Sequence, residues 1–204
     1  MGVSSNGSVS YSPLAVALTD LNSPLLFFSA NNLTWAERTL QSRYTEPYLV
    51  TAYKTGRTPD YEAALANGGW DPETLAWPAR VGEVLDIVWV SNSGPSGGFD
   101  FHPMHAHGSH YWDLGGGAGA YDAEENEKRF TGPDGYTPVM RDTTQLYRYV
   151  VSGAPHSFNG WRAWRIKVTK DNVGAWGLHC HILAHMAMGE QRQIPHVKRL
   201  ISMC

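Results

Sequence analysis

From Val81 to Asn92 the chain reads V-G-E-V-L-D-I-V-W-V-S-N, with Leu85, Ile87 and Trp89 on one alternating set of positions and Val84, Asp86, Val88 and Val90 on the other. Strand side chains point to opposite faces in turn, so the segment predicts a central strand, apolar on both faces except at Asp86. Ser93-Gly94-Pro95-Ser96-Gly97-Gly98 then breaks it. Similar short runs predict strands at Leu14 to Leu18, Pro24 to Ser29, Gln145 to Ser152 and Trp161 to Thr169. In the last of these Trp164 and Ile166 share one face, and Arg165, Lys167 and Thr169 the other. Gly174-Ala175-Trp176 leads into the final expected strand, which carries His179-Cys180-His181.

Helical spacing is confined to short pieces. Thr34 to Leu40, capped at Asn32 or Thr34, predicts one helix, and Thr58 to Leu65, with Pro59 early and Gly68-Gly69 late, predicts another. Gly115 to Gly119 reads as an open loop, and Glu124, Glu125 and Glu127 beside Lys128 and Arg129 read as a solvated surface. The whole is all-β with short helical insertions: a Greek-key sandwich. At 204 residues, with no internal repeat and no linker that would split off a second domain, residues 1–204 are expected to form one domain, with 1–75 including linker-like and helical decoration.

Composition narrows the partners. A net charge of -3 with 17% charged residues leaves no basic footprint for nucleic acid. No stretch approaches the apolar length of a membrane-spanning helix, so neither nucleic acid nor membrane is an expected partner. Met1 to Tyr11 is polar and carries no positive residue, unlike a signal peptide, yet Asn6-Gly7-Ser8 and Asn32-Leu33-Thr34 are glycosylation sequons, meaningful only for a secreted glycoprotein. Two locations stay open: the cytoplasm for an independent gene product, or the extracellular space if export is directed by a segment elsewhere.

The chemistry concentrates in two stretches. F-H-P-M-H-A-H-G holds His102, His105 and His107, and W-G-L-H-C-H-I-L-A-H holds His179, Cys180, His181 and His185, so six of the nine histidines lie there. Alternation turns Cys180 to one face and its two flanking histidines to the other. A further turn of chain, expected to be a short helix ended by Gly189, brings His185 to the Cys180 side. Upstream, His105 and His107 share a face while His102 can turn toward the thiolate. The product is a two-histidine, one-cysteine set, the ligands of a mononuclear blue-copper centre, beside four imidazoles suited to further copper. A structural zinc site closes at four ligands and would leave three donors unused. His110, His156 and His196 stand alone and read as ordinary surface or core histidines.

H-P-M-H-A-H-G from His102, followed by Tyr111-Trp112-Asp113-Leu114-Gly115, resembles the first copper motif in the C-terminal cupredoxin domain of multicopper oxidases of the ascorbate oxidase and fungal laccase branch. H-C-H-I-L-A-H-M-A-M-G from His179 is similar to the second motif, and Arg141-Asp142-Thr143 to a short signature between them. The resemblance implies a cupredoxin fold, type 1 copper ligands at His102, Cys180 and His185, a type 2 ligand at His105, and type 3 ligands at His107, His179 and His181. It also implies catalysis centred on Cys180, His179 and His181: one-electron oxidation of a phenolic or ascorbate-like donor, with reduction of dioxygen to water.

Two departures matter. The family draws half of its trinuclear histidines from an N-terminal domain, and residues 1–101 contain no histidine. The resemblance therefore implies N-terminal multicopper oxidase domains on a separate chain or severed segment, or a second copy of this chain about a two-fold axis. A stand-alone type 1 electron-transfer protein is the remaining alternative. Cys204 has no mate once Cys180 is a ligand, and the family's habit of tying its C-terminal end to the first domain makes it a candidate interchain disulfide. At the family's axial position stands Glu190, either turned away or lending a carboxylate that would favour Cu(II) and lower the potential.

Overall fold

The computed structural model describes residues 11–18, 28–30, 46, 48–131, 133–187 and 191–197, with backbone alone at 11–18, 28–30, 187 and 191–197. The expected helix over Thr34 to Leu40, both sequons, Gly189, Glu190 and Cys204 lie outside the described residues. In chain order the elements are β1 (Tyr11–Leu18), β2 (Phe28–Ala30), α1 (Tyr48–Thr55), α2 (Tyr61–Ala66), β3 (Ala79–Arg80), β4 (Val84–Asn92), β5 (His102–Ala106), β6 (Tyr111–Gly117), α3 (Ala123–Thr131), β7 (Val139–Arg141), β8 (Thr143–Leu146), β9 (Phe158–Lys167), β10 (Gly174–Cys180), α4 (Leu183–Ala187) and β11 (Gln191–Val197). One sheet has the order β2-β1-β4-β9-β6-β7, the other β3-β11-β10-β5-β8. From β4 to β6, and again from β7 to β10, successive strands alternate between the sheets, which gives the expected Greek-key β-sandwich.

The central strand behaves as its pattern dictates. Leu85, Ile87 and Trp89 enter the core between the sheets, where Trp164, Ile166 and Tyr111 meet Met104, Leu146, Leu178 and Cys180 across the gap. Val88 on the other face packs with Leu114, Trp161 and Ala163. Asp86, the polar exception, lies opposite Arg165 on β9 and takes a two-pronged bond from its guanidinium at 2.7 and 2.8 Å. The guanidinium offsets the cost of burying that carboxylate.

Several expectations are corrected. The helix expected from Thr58 begins at Tyr61, because Asp60 is the cap: its Oδ1 accepts from the Ala63 amide at 3.0 Å. The acidic and basic run after Tyr121 stays exposed, as expected, and is carried by a helix, α3, whose Phe130 covers the outer cluster while Glu127 reaches Arg165. Gly115 to Gly117 belong to β6 rather than to an open loop. A Cβ on Gly117 would meet the Trp161 ring at 2.9 Å, so glycine permits the close β6–β9 approach. The strand expected over Gln145 to Ser152 is only Thr143–Leu146, because the chain then leaves the sheet to pair with the glycine loop, with Gly153 N bonding Gly97 O at 2.8 Å. The strand carrying Cys180 is not the last, since β11 follows and lies between it and β3. Helix α1 had no distinct signal in the pattern.

Candidate metal centres

Strands β5 and β10 run antiparallel side by side, with His179 opposite His105 and Cys180 opposite Met104. Register and alternation together sort the donors. His102, Met104, Leu178 and Cys180 face the core, whereas His105 and His179 face outward and stay half-buried. The pairing extends past both strand ends, His107 N donating to Gly177 O at 2.9 Å and His181 N to Pro103 O at 2.7 Å. The ligands upstream are thus carried by a strand, not by the preceding loop.

On the inner side α4 returns His185 to Cys180. His102, Cys180 and His185 are buried, at 3%, 0% and 8% exposure, and one donor atom from each lies within 4.8 Å of the other two. The Cys180 Sγ to His185 Nδ1 distance is 3.6 Å and His185 Nδ1 to His102 Nδ1 is 3.3 Å. Donors bound at roughly 2.0–2.3 Å to one ion at trigonal to tetrahedral angles stand about 3.3–3.8 Å apart, so the set fits a metal. One soft thiolate with two imidazoles suits copper. Asp100 Oδ2 lies 3.5 Å from His185 Nε2, the ring atom turned away from the thiolate. Sequence reading passed over Asp100, whose only signal was its place two residues before His102.

The outer side gathers His105, His107 and His179, also with donor atoms within 4.8 Å of one another. His107 Nε2 and His179 Nε2 approach to 2.9 Å. His181, exposed, completes the patch with its ring centre 5.7 Å from that of His105 and 5.5 Å from that of His179, outside the tighter trio. Partial desolvation of an otherwise exposed ring, and after it the imidazoles of His179, His105 and His181, hold His107 below the ordinary histidine range. Neutral imidazole is the ligating form, so this side too fits a metal. Gly108, which follows His107 at φ +84°, has the Trp176 ring 2.0 Å from where a Cβ would sit, which accounts for glycine in the motif.

Two ring nitrogens are already committed. His179 Nδ1 lies 2.9 Å from Cys180 O, and His105 Nδ1 lies 2.8 Å from Asp142 O and 3.0 Å from Thr143 Oγ1. A carbonyl only accepts, so hydrogen on Nδ1 would satisfy both contacts and leave Nε2 for a metal. Among the described residues no other group of three donors comes together.

A family model described as multicopper oxidase matches residues 44–198. A multicopper oxidase of Gibberella zeae is 56% identical over 162 residues, covering 79% of this chain and 26% of that protein. A laccase-like multicopper oxidase of Thermothelomyces thermophilus is 45% identical over 174 residues, covering 80% and 25%. The crystal structure of a laccase from Botrytis aclada superposes with a TM-score of 0.59 at 19% identity, over 96% of this chain and 29% of that one, a likeness of fold. The chain spans about a quarter of the length of the curated relatives it matches.

Proposed function

The chain belongs to the multicopper oxidase family, and from that premise we propose that it is the C-terminal, copper-bearing part of a laccase-like or ascorbate-oxidase-like enzyme. The observation that carries the reading is the back-to-back placement of two donor sets on β5 and β10, one inside the core and one outside it. In this reading residues 1–204 are one cupredoxin domain, His102, Cys180 and His185 hold type 1 copper, His105 serves type 2, and His107, His179 and His181 serve type 3. Copper bound there would supply one-electron oxidation of a phenolic or ascorbate-like donor and reduction of dioxygen to water.

The residues themselves do three things. The core around Cys180 excludes water from the thiolate and fixes its two imidazoles. Cys180 is joined by its own peptide bonds to His179 and His181, so the inner and outer sets are connected covalently, the shortest wire a chain can provide. The outer histidines stay open to solvent, as a half-site must if N-terminal oxidase domains on another chain or segment are to supply the rest. Secretion of that assembly belongs to the same reading. No helix among the described residues is long and apolar enough to cross a membrane.

Oxygen uptake with a phenolic donor by the native assembly tests it: uptake is expected, and His105→Ala should abolish it. A second reading, a stand-alone electron-transfer protein, draws on the fact that the inner set is complete within one chain. That reading expects reversible one-electron reduction without oxygen uptake.

A further inference from the structure

We infer that the corner at Arg141–Thr144 is a positioning device for His105, fixing hydrogen on its Nδ1 and so presenting Nε2 to the outer histidine face. The inference deepens the copper reading of that face and rests on it. His179 orients itself through its neighbour's carbonyl, but His105 depends on Asp142 and Thr143, 37 and 38 residues away in sequence. Such an arrangement holds only if the distant segment is itself held.

Asp142 is the single residue between β7, in one sheet, and β8, in the other. Its carbonyl accepts from the Ala106 amide at 2.9 Å as well as from His105, so the acceptor is pinned to the strand it orients. On the far side of the corner, Thr144 Oγ1 accepts from Trp164 Nε1 at 2.6 Å and lies 3.4 Å from Tyr111 OH, both buried in the core. On the near side, Arg141 Nε stands 3.5 Å from Asp113 Oδ2, a carboxylate 1% exposed and already clasped by Arg162. Arg141 is itself half-exposed, so its pairing is a weak strut and Thr144 the principal anchor. The corner thus braces one sheet against the other and delivers two acceptors to one ring nitrogen.

Hydrogen on Nδ1 is the less favoured tautomer of a free neutral imidazole, which makes it a signature that a merely structural turn would not create. Long-range proton–nitrogen NMR on the metal-free native assembly, above the histidine titration range, should find His105 with hydrogen on Nδ1. Thr144→Val, which removes the corner's buried anchor at nearly constant shape, should shift the ring toward the other tautomer, and Thr144→Ser should restore it. In the copper-loaded native assembly Thr144→Val should weaken Cu(II) at the outer face about tenfold, read by chelator competition, with the thiolate absorption unchanged. Hydrogen on Nε2 in the wild type, or an unmoved tautomer in Thr144→Val, overturns the inference. A tautomer that shifts in a protein taking up no copper at the outer face would support the corner's hold on His105 and strike down the copper reading instead.

Discussion

The inner and outer donor sets share two strands and one cysteine-histidine run, yet they are built to opposite rules. The inner set sits in the hydrophobic core, with Cys180 fully buried and Met104, Leu178 and Leu146 around it. The outer set lies on a face where His107 and His181 are exposed and His105 and His179 half-buried. One residue of strand separates these environments, because alternation puts neighbouring side chains on opposite faces. A site inside the core must be complete, since nothing else can reach it; a site on the surface can be left half built.

The largest test of this contrast removes the thiolate. Cys180→Ser should weaken copper binding at the inner set by more than about 100-fold, since losing a ligand costs more than losing a ligand's hydrogen-bond partner. Metal analysis and visible absorption should show the intense thiolate band gone and the outer face still able to take up copper. His105→Ala should invert the pattern, lowering outer copper at least about tenfold while the thiolate band persists. If either variant empties both sets alike, the two are not independent in the way described.

Core damage should reach both sets. Trp164 is fully buried, stacks on Tyr111 with ring centres 3.9 Å apart and bonds Thr144. Trp164→Ala should cost about 3–5 kcal/mol by denaturant titration, perturb the thiolate band and, with the Thr144 anchor lost, lower outer copper as well. Smallest is Asp60→Ala at the cap of α2, which bonds Ala63 and Asp71 and none of the donors: about 1 kcal/mol of stability, with copper content and spectrum unchanged.

Much of this was legible in the sequence because period-two alternation is a local rule. It put Leu85, Ile87 and Trp89 on the core face of β4, and it divided His102 from His105 and His107, and Cys180 from its flanking histidines. What local rules do not carry is the identity of distant partners. Nothing in the run around Glu127 announces that Arg165 will meet it, so the exposure of α3 was legible and its ion pair was not. The glycines of β6 looked like a loop because their reason is the Trp161 ring on another strand. Arg141-Asp142-Thr143 was visible as a signature, but its bonds to His105 exist only once β8 lies beside β5.

If the outer histidines are half of a cluster completed by histidines beyond residues 1–204, native mass together with copper count on material purified from its source should show it. This chain should be found with additional histidine-supplying polypeptide and with more than one copper per chain. A lone 204-residue chain bearing a single copper would overturn that reading.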